Sequence, residues 1–407
     1  MQKESMLERP GALLGPIKLV HALWLAGMSC DGCSVAVTGA TAPSVESLLT
    51  GQLPGVPRVV LHHPVLSTEA GEEFTKNYFM AAEGKLNAPY VVIYEGSIAN
   101  ENLAAETGGY WSAMGTEATP VPVPTATMLK RLAPGAAAVI AIGTCATWGG
   151  IPAAYGNPTG AMSVMDFLGV DYRSALGLPV INVPGCSPIG DNFTETVAAI
   201  LLFLNGLGPL PEFDELGRPA WLFSETVHRH CVRAGWYEEG VFAKHYGDQE
   251  CLVEIGCWGP VVQCNITSRG AINHMGGCMN TGGICIGCTM PGFPDRFSPF
   301  YKTPPGTIVS ATASRTYGGF VRSLRRITQD FMNRETRWDR LEQNPSGWSR
   351  IPEPGVARKL VHYFYEKWQF WNADPPGRRK PEEKYADGYE VPAVKSGESA
   401  YPGQKWR

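Results

Sequence analysis

Eleven cysteines in 407 residues constrain this chain more than any other feature, because of where they stand. Four lie in the first half, as Cys30-x2-Cys33, Cys145 and Cys186. The others crowd one stretch of the second half: Cys231, just after His228, then Cys251, Cys257, Cys264, Cys278, Cys285 and Cys288. An odd number cannot be a closed disulfide framework. Thiolates this dense, with a histidine among them, point to iron–sulfur or zinc chemistry. Counting His228 gives twelve donors, or three sets of four with no cysteine left over.

The first half alternates strand and helix patterns. Apolar, β-rich runs over 18–25, 58–62, 90–94, 136–142 and 178–183 predict strands. Segments 69–83, 125–132 and 191–205 predict helices. Alternation of this kind implies an α/β fold with a doubly wound parallel sheet. Cys30 and Cys33 then follow the first strand, Cys145 follows VIAIG and Cys186 follows VINVPG. All four fall at the carboxyl ends of strands, the edge where open α/β sheets bind ligands. A lone cysteine is commonly a small buried hydrophobe; four on one edge argue for convergence.

Past about residue 210 the alternation is lost. Segment 209–305 is rich in loops, with Gly, Pro, Trp and Cys interleaved, and metal centres would have to hold it together. A helix is expected over 320–343, carrying Arg322, Arg325 and Arg326, and a short amphipathic one over 360–372. The polar, proline-rich end reads as a tail that wraps a partner or stays disordered. The expected domains are an extension over 1–16, an α/β domain over 17–208, a cluster domain over 209–305 and an extension over 306–407.

A net charge of -4 argues against a nucleic-acid footprint. No apolar run reaches membrane-spanning length; the longest, 197–204, reads as a buried helix face. The N-terminal residues carry neither a secretory pattern nor twin arginines, so a cytoplasmic location is expected. In that reducing compartment metal binding is favoured over disulfides. Zinc remains the plain alternative: Cys30/Cys33 and Cys285/Cys288 could each be half of a zinc site, although the other spacings are irregular for one.

The pattern resembles the small, electron-transfer subunit of [NiFe]-hydrogenases over about residues 18–300. The matching motifs are CDGC, GTCA at 143–146, PGC at 184–186, HRHC, CLVEIGC followed by WGP, and CIGCTMPGFPD. The resemblance implies a flavodoxin-like domain followed by a loop-rich iron–sulfur domain. By motif, Cys30, Cys33, Cys145 and Cys186 would hold a proximal cluster. His228, Cys231, Cys251 and Cys257 would hold a distal one, and Cys264, Cys285 and Cys288 a medial one. His228 would remove one thiolate charge and raise the distal potential.

Two departures matter. Many relatives have proline seven residues before the first cysteine of CIGC, leaving a three-iron medial cluster. Cys278 stands there instead and supplies a fourth thiolate, so three [4Fe-4S] clusters are expected. Asp31, inside CDGC, could face solvent, bond the turn or replace a cysteine on iron. Such ligation marks the actinobacterial-type, oxygen-tolerant uptake subgroup. Gly32 and the full assignment of every cysteine exclude a six-cysteine proximal cluster.

The resemblance also implies a partner large subunit holding the Ni-Fe site of H2 chemistry. Trp111, Trp148, Trp258, Phe297 and Phe300 would either face it or pack around clusters. It leaves room for a dimer of heterodimers and for peripheral membrane association. The electron acceptor is open. Two rival readings stand beside it: a cluster-bearing subunit of a quinone-linked NADH dehydrogenase, and a zinc-stabilised scaffold with no redox role.

Overall fold

The run LVHALWLA forms β1 (Leu19–Ala26), buried along most of its length on both faces. Only a strand covered by a layer on each side tolerates that. In the computed structural model, which describes residues 17–106, 110–116, 122–298, 300–301, 303–304 and 307–329, six more strands follow. They are β2 (Arg58–His62), β3 (Tyr90–Glu95), β4 (Ala113–Thr116), β5 (Pro122–Pro124), β6 (Ala138–Ile142) and β7 (Ile181–Val183).

β4 and β5 form an antiparallel pair of their own. The other strands make one parallel sheet in the order β2-β1-β3-β6-β7. With the hairpin set aside this is the 2-1-3-4-5 order of a flavodoxin-like sheet, whose direction of winding reverses between β1 and β3. Leu23, Val92 and Val139 face the helices Glu72–Ala82 and Thr125–Leu132. Trp24, Ile93 and Ile140 face Gly190–Leu204, a helix so apolar that nearly every residue is buried.

The chain divides into two compact units: residues up to Pro219 together with Pro291–Phe293, and Ala220–Met290 together with the segment from Pro294. In the second unit the described elements are short helical turns such as Val227–His230, Ala234–Glu238, Leu252–Ile255 and Ile266–Arg269. Only the helix Thr307–Gln329 is long.

That helix corrects the sequence reading, which began it at 320. TIVSATASRTYGG is a poor helix former by composition. Tertiary contacts override propensity here, since Ala311 is buried in the unit's small apolar core. Residues 330–343, the segment over 360–372 and the tail lie outside the described residues.

Candidate metal centres

In the first unit the sheet edge assembles one set of donors. Cys30 and Cys33 flank the turn after β1, and the helix Gly32–Thr38 starts inside it. Cys145 sits in the helix Gly143–Trp148 that follows β6, and Cys186 in the loop after β7. Cys30 and Cys186 are exposed, Cys33 and Cys145 half-buried. Gly143 adopts φ +81° beside Cys33, where a Cβ would overlap the Cys33 sulfur. Gly150, at φ +57°, leaves the same kind of room at Cys145.

The four cysteines act on one another electrostatically. Burial pushes the Cys33 thiol far up, and the charges of Glu95, Cys145, Cys30 and Cys186 push it further. Cys145 is raised to about 11, by burial and then by Cys186, against a hydrogen bond from the Ile151 backbone. Cys186, although its surface is exposed, is raised by the protein packed on its other side and by the charge of Cys30. Four thiolates here therefore need a compensating positive core. Yet among the described residues no three His, Cys, Asp or Glu side chains converge as one ion would require. Structural zinc prefers two close ligand pairs, whereas these donors are dispersed over three strand ends, an arrangement that iron–sulfur clusters accept.

Asp31 occupies the left-handed region, φ 59° and ψ 7°, at the start of the Gly32–Thr38 helix. Its carboxylate makes no capping bond, while its backbone N–H donates to Ser29 Oγ at 3.0 Å.

Sequence reasoning missed Glu95, the last residue of β3 and 1% exposed. Its Oε1 accepts from the N–H of Cys33 at 3.1 Å and of Ser34 at 3.2 Å. Its Oε2 accepts from Trp24 Nε1–H at 3.0 Å and from the Ser34 hydroxyl. The N–H groups of Val65 and Leu66 donate to His63 Nδ1, which leaves the proton on Nε2 to reach Ser34 Oγ at 2.9 Å. The legible signal was a carboxylate, EGS, at a strand's carboxyl end beside three cysteine-bearing ends.

In the second unit His228 lies in the turn Val227–His230 and Cys231 caps it. Cys251 precedes the turn Leu252–Ile255, and Cys257 follows Gly256 at φ 106°. These four, with Arg233, Gly259 and Met279, line one small pocket. Backbone N–H groups point at the sulfurs: Arg233 at Cys231 (3.4 Å), Gly259 at Cys257 (3.4 Å) and Cys285 at Cys257 (3.3 Å). The Arg233 guanidinium is pinned by the carbonyls of Asp248, Glu250 and Met279. Burial raises Cys251 to about 12 while the Arg233 charge opposes the rise. Arg233 was also missed, although it stands two residues after a predicted ligand.

Cys285 is buried. Burial drives its thiol well up, and the charges of Cys257, Cys288 and Cys264 add to the rise. Burial raises Cys278 too, and its charge falls on Cys257, alongside that of Cys231. Cys285 thus feels the charges of Cys264 and Cys288, whereas Cys278 acts on Cys257. Gly287, at φ +79° between Cys285 and Cys288, lies against Phe297, whose ring meets Trp258 edge-on at 4.8 Å. Trp148 (5% exposed) and Phe297 (3%) are therefore interior residues rather than partner-facing ones, whereas Trp111 is 39% exposed.

Comparison with known proteins agrees with this architecture. Residues 223–301 match the C-terminal family of the NiFe/NiFeSe hydrogenase small subunit. Residues 30–200 match the NADH ubiquinone oxidoreductase, 20 Kd subunit family. The Periplasmic [NiFeSe] hydrogenase small subunit of Desulfomicrobium baculatum is 34% identical over 304 residues, covering 73% of this chain and 92% of that one. The Hydrogenase-2 small chain of Escherichia coli K12 is 34% identical over 277 residues, covering 66% and 67%. An actinobacterial-type NiFe-hydrogenase structure from Ralstonia eutropha H16 superposes with TM-score 0.74 at 49% identity, covering 84% of this chain and 96% of that one.

A flavodoxin-like unit and a cysteine-laden second unit, matched together at this coverage, define the class as a hydrogenase small subunit. The chain belongs to the [NiFe]-hydrogenase small-subunit family. The NADH dehydrogenase reading is not favoured, because that family's match stops at residue 200, before the second unit. Membership implies iron–sulfur clusters in this chain and a large subunit that holds the Ni-Fe site.

Proposed function

We propose that this chain carries electrons, two per H2 and one at a time, from a partner's Ni-Fe site through three [4Fe-4S] clusters to an acceptor. The observation that carries this reading is the sheet-edge set. Cys30, Cys33, Cys145 and Cys186 come from three strand ends, and the thiols of Cys33, Cys145 and Cys186 are driven up by burial and by neighbouring cysteines, so that holding them as thiolates calls for a positively charged core. An iron–sulfur cluster, when bound, supplies one-electron chemistry at a potential set by its surroundings.

The chain's own groups supply those surroundings. N–H donors at Cys231 and Cys257, and the pinned Arg233, stabilise added negative charge at the distal set. His228 replaces a thiolate there and raises the distal potential, which draws electrons to that end of the wire. Cys30 and Cys186 remain exposed, with the exposed apolar Val35 and Ile151 near Cys33 and Cys145. This suits a face buried beneath a large partner.

Cys278 would supply the fourth thiolate of a four-iron medial cluster, and its charge also acts on Cys257 of the distal set. Asp31, free of any capping bond, is available to replace a proximal cysteine. Together with the 49% identity to an actinobacterial-type enzyme, this supports the oxygen-tolerant uptake subgroup. A cytoplasmic location is part of the same proposal. Among the described residues no helix is long and apolar enough to cross a membrane.

The test is co-purification with the large subunit, with nickel, iron and acid-labile sulfide quantified. The expected result is about twelve irons per small subunit with equal sulfide. Zinc without sulfide would overturn the proposal.

A further inference from the structure

The helix Thr307–Gln329 starts beyond residue 301, where the hydrogenase family match ends. Its first turns are nevertheless built into the surroundings of the distal donors. Ala311, 2% exposed, shares a small apolar core with Phe242, Cys251 and Val253, against which Tyr237 packs. One turn on, Arg315 Nη2 meets both carboxylate oxygens of Glu254, at 2.6 and 2.7 Å. The same guanidinium lies 5.3 Å from the centre of the Phe242 ring. Near the next turn Gly318 touches the Glu239 carbonyl so closely that a Cβ there would overlap it. Gly240 in turn sits against the Arg315 backbone.

Both contacts of Arg315 lead to ligands. Glu254 belongs to the turn Leu252–Ile255, between Cys251 and Cys257. Phe242 meets Tyr237 edge-on at 5.8 Å, and Tyr237 meets the His228 imidazole edge-on at 4.7 Å. A half-exposed ion pair alone contributes little. Here a carboxylate contact and an aromatic face meet on one side chain, and a glycine-lined backbone approach seats the helix turn that carries it.

The geometry points to Arg315 as a positioning residue for the distal cluster. It ties the cysteine-bearing turn to the aromatic wedge behind His228, so the helix beyond the family match holds the donor set in register. This inference rests on the distal assignment of His228, Cys231, Cys251 and Cys257. Arg315 touches no ligand itself and acts through Glu254 and Phe242.

The test uses the purified complex with its large subunit. Arg315→Met keeps the aliphatic stem and removes the charge. Release of distal iron to a ferrous chelator should speed up roughly fivefold, the effect of about one lost interaction. The distal EPR signal and potential should shift while the proximal and medial ones stay. Arg315→Lys retains the ion pair but not the planar stack, and should recover part of the loss. Gly318→Ala, which pushes the helix away, should mimic Arg315→Met.

Native release rates and a native distal potential in Arg315→Met would overturn the inference. If that variant does not assemble, Arg315→Lys and Gly318→Ala decide it on the same readouts. A wild-type complex holding about eight irons instead of about twelve would instead overturn the distal assignment itself.

Discussion

Replacing Glu95 with glutamine removes one charge and almost no volume from the most heavily bonded side chain at the sheet edge. The carboxylate accepts from Cys33 N–H, Ser34 N–H, Trp24 Nε1–H and the Ser34 hydroxyl. Glutamine keeps one oxygen, which can stay on the two backbone amides, but without charge each bond weakens by about 1 kcal/mol. Its NH2 then faces Trp24 Nε1–H and leaves a buried donor without an acceptor, at about 1–3 kcal/mol. The total is about 4 kcal/mol. In a unit of about 200 residues that lowers Tm by roughly 8–16 °C.

Calorimetry of the complex measures this fall, and a redox titration followed by EPR measures the proximal cluster. Losing a negative charge beside Cys33 should also raise that cluster's potential. Glu101→Gln is the control. It is equally buried but accepts from the N–H groups of Trp111 and Ser112 rather than of the Cys33 turn, so it should cost stability and leave the proximal signal alone. A Tm change under about 2 °C with an unmoved proximal potential would refute the reasoning.

Gly143→Ala combines a left-handed φ with a Cβ that overlaps the Cys33 sulfur. It should lose about four of about twelve irons, visible as a missing proximal signal, and full iron retention would contradict the packing described. Cys278→Pro should give a new three-iron EPR signal in the oxidised protein; its absence would remove Cys278 from the medial set. His21 Nδ1 and His62 Nε2 lie 2.9 Å apart, and burial lowers both imidazoles below their ordinary 6.5. The unfolded chain therefore takes up protons first, so their contribution to stability is full above pH 6.5 and is lost as pH falls through the folded values. His62→Gln should flatten the fall of Tm with acid below about pH 6.5, and an unchanged slope would rule this pair out as its source.

The strands were legible because their signals are local. β2 and the helix Thr125–Leu132 stand where the residue pattern predicts them, since a buried apolar run bounded by Gly and Pro leaves few alternatives. The helix Thr307–Gln329 was misplaced because what stabilises its start is Ala311 and Arg315 meeting residues far off in the chain. The donor types were legible too, since a cysteine's chemistry belongs to the residue.

By itself, then, the sequence determined a parallel α/β unit, a cysteine-laden second unit and the family they define. Tertiary structure alone decided that Glu95 anchors the Cys33 turn and that Arg233 sits pinned beside Cys251. It alone put Trp148 and Phe297 inside rather than at a partner surface. The physical reason is one of range. Apolar periodicity and ligand chemistry are properties of neighbours in sequence, whereas hydrogen-bond partners and electrostatic neighbours exist only once the chain has closed on itself.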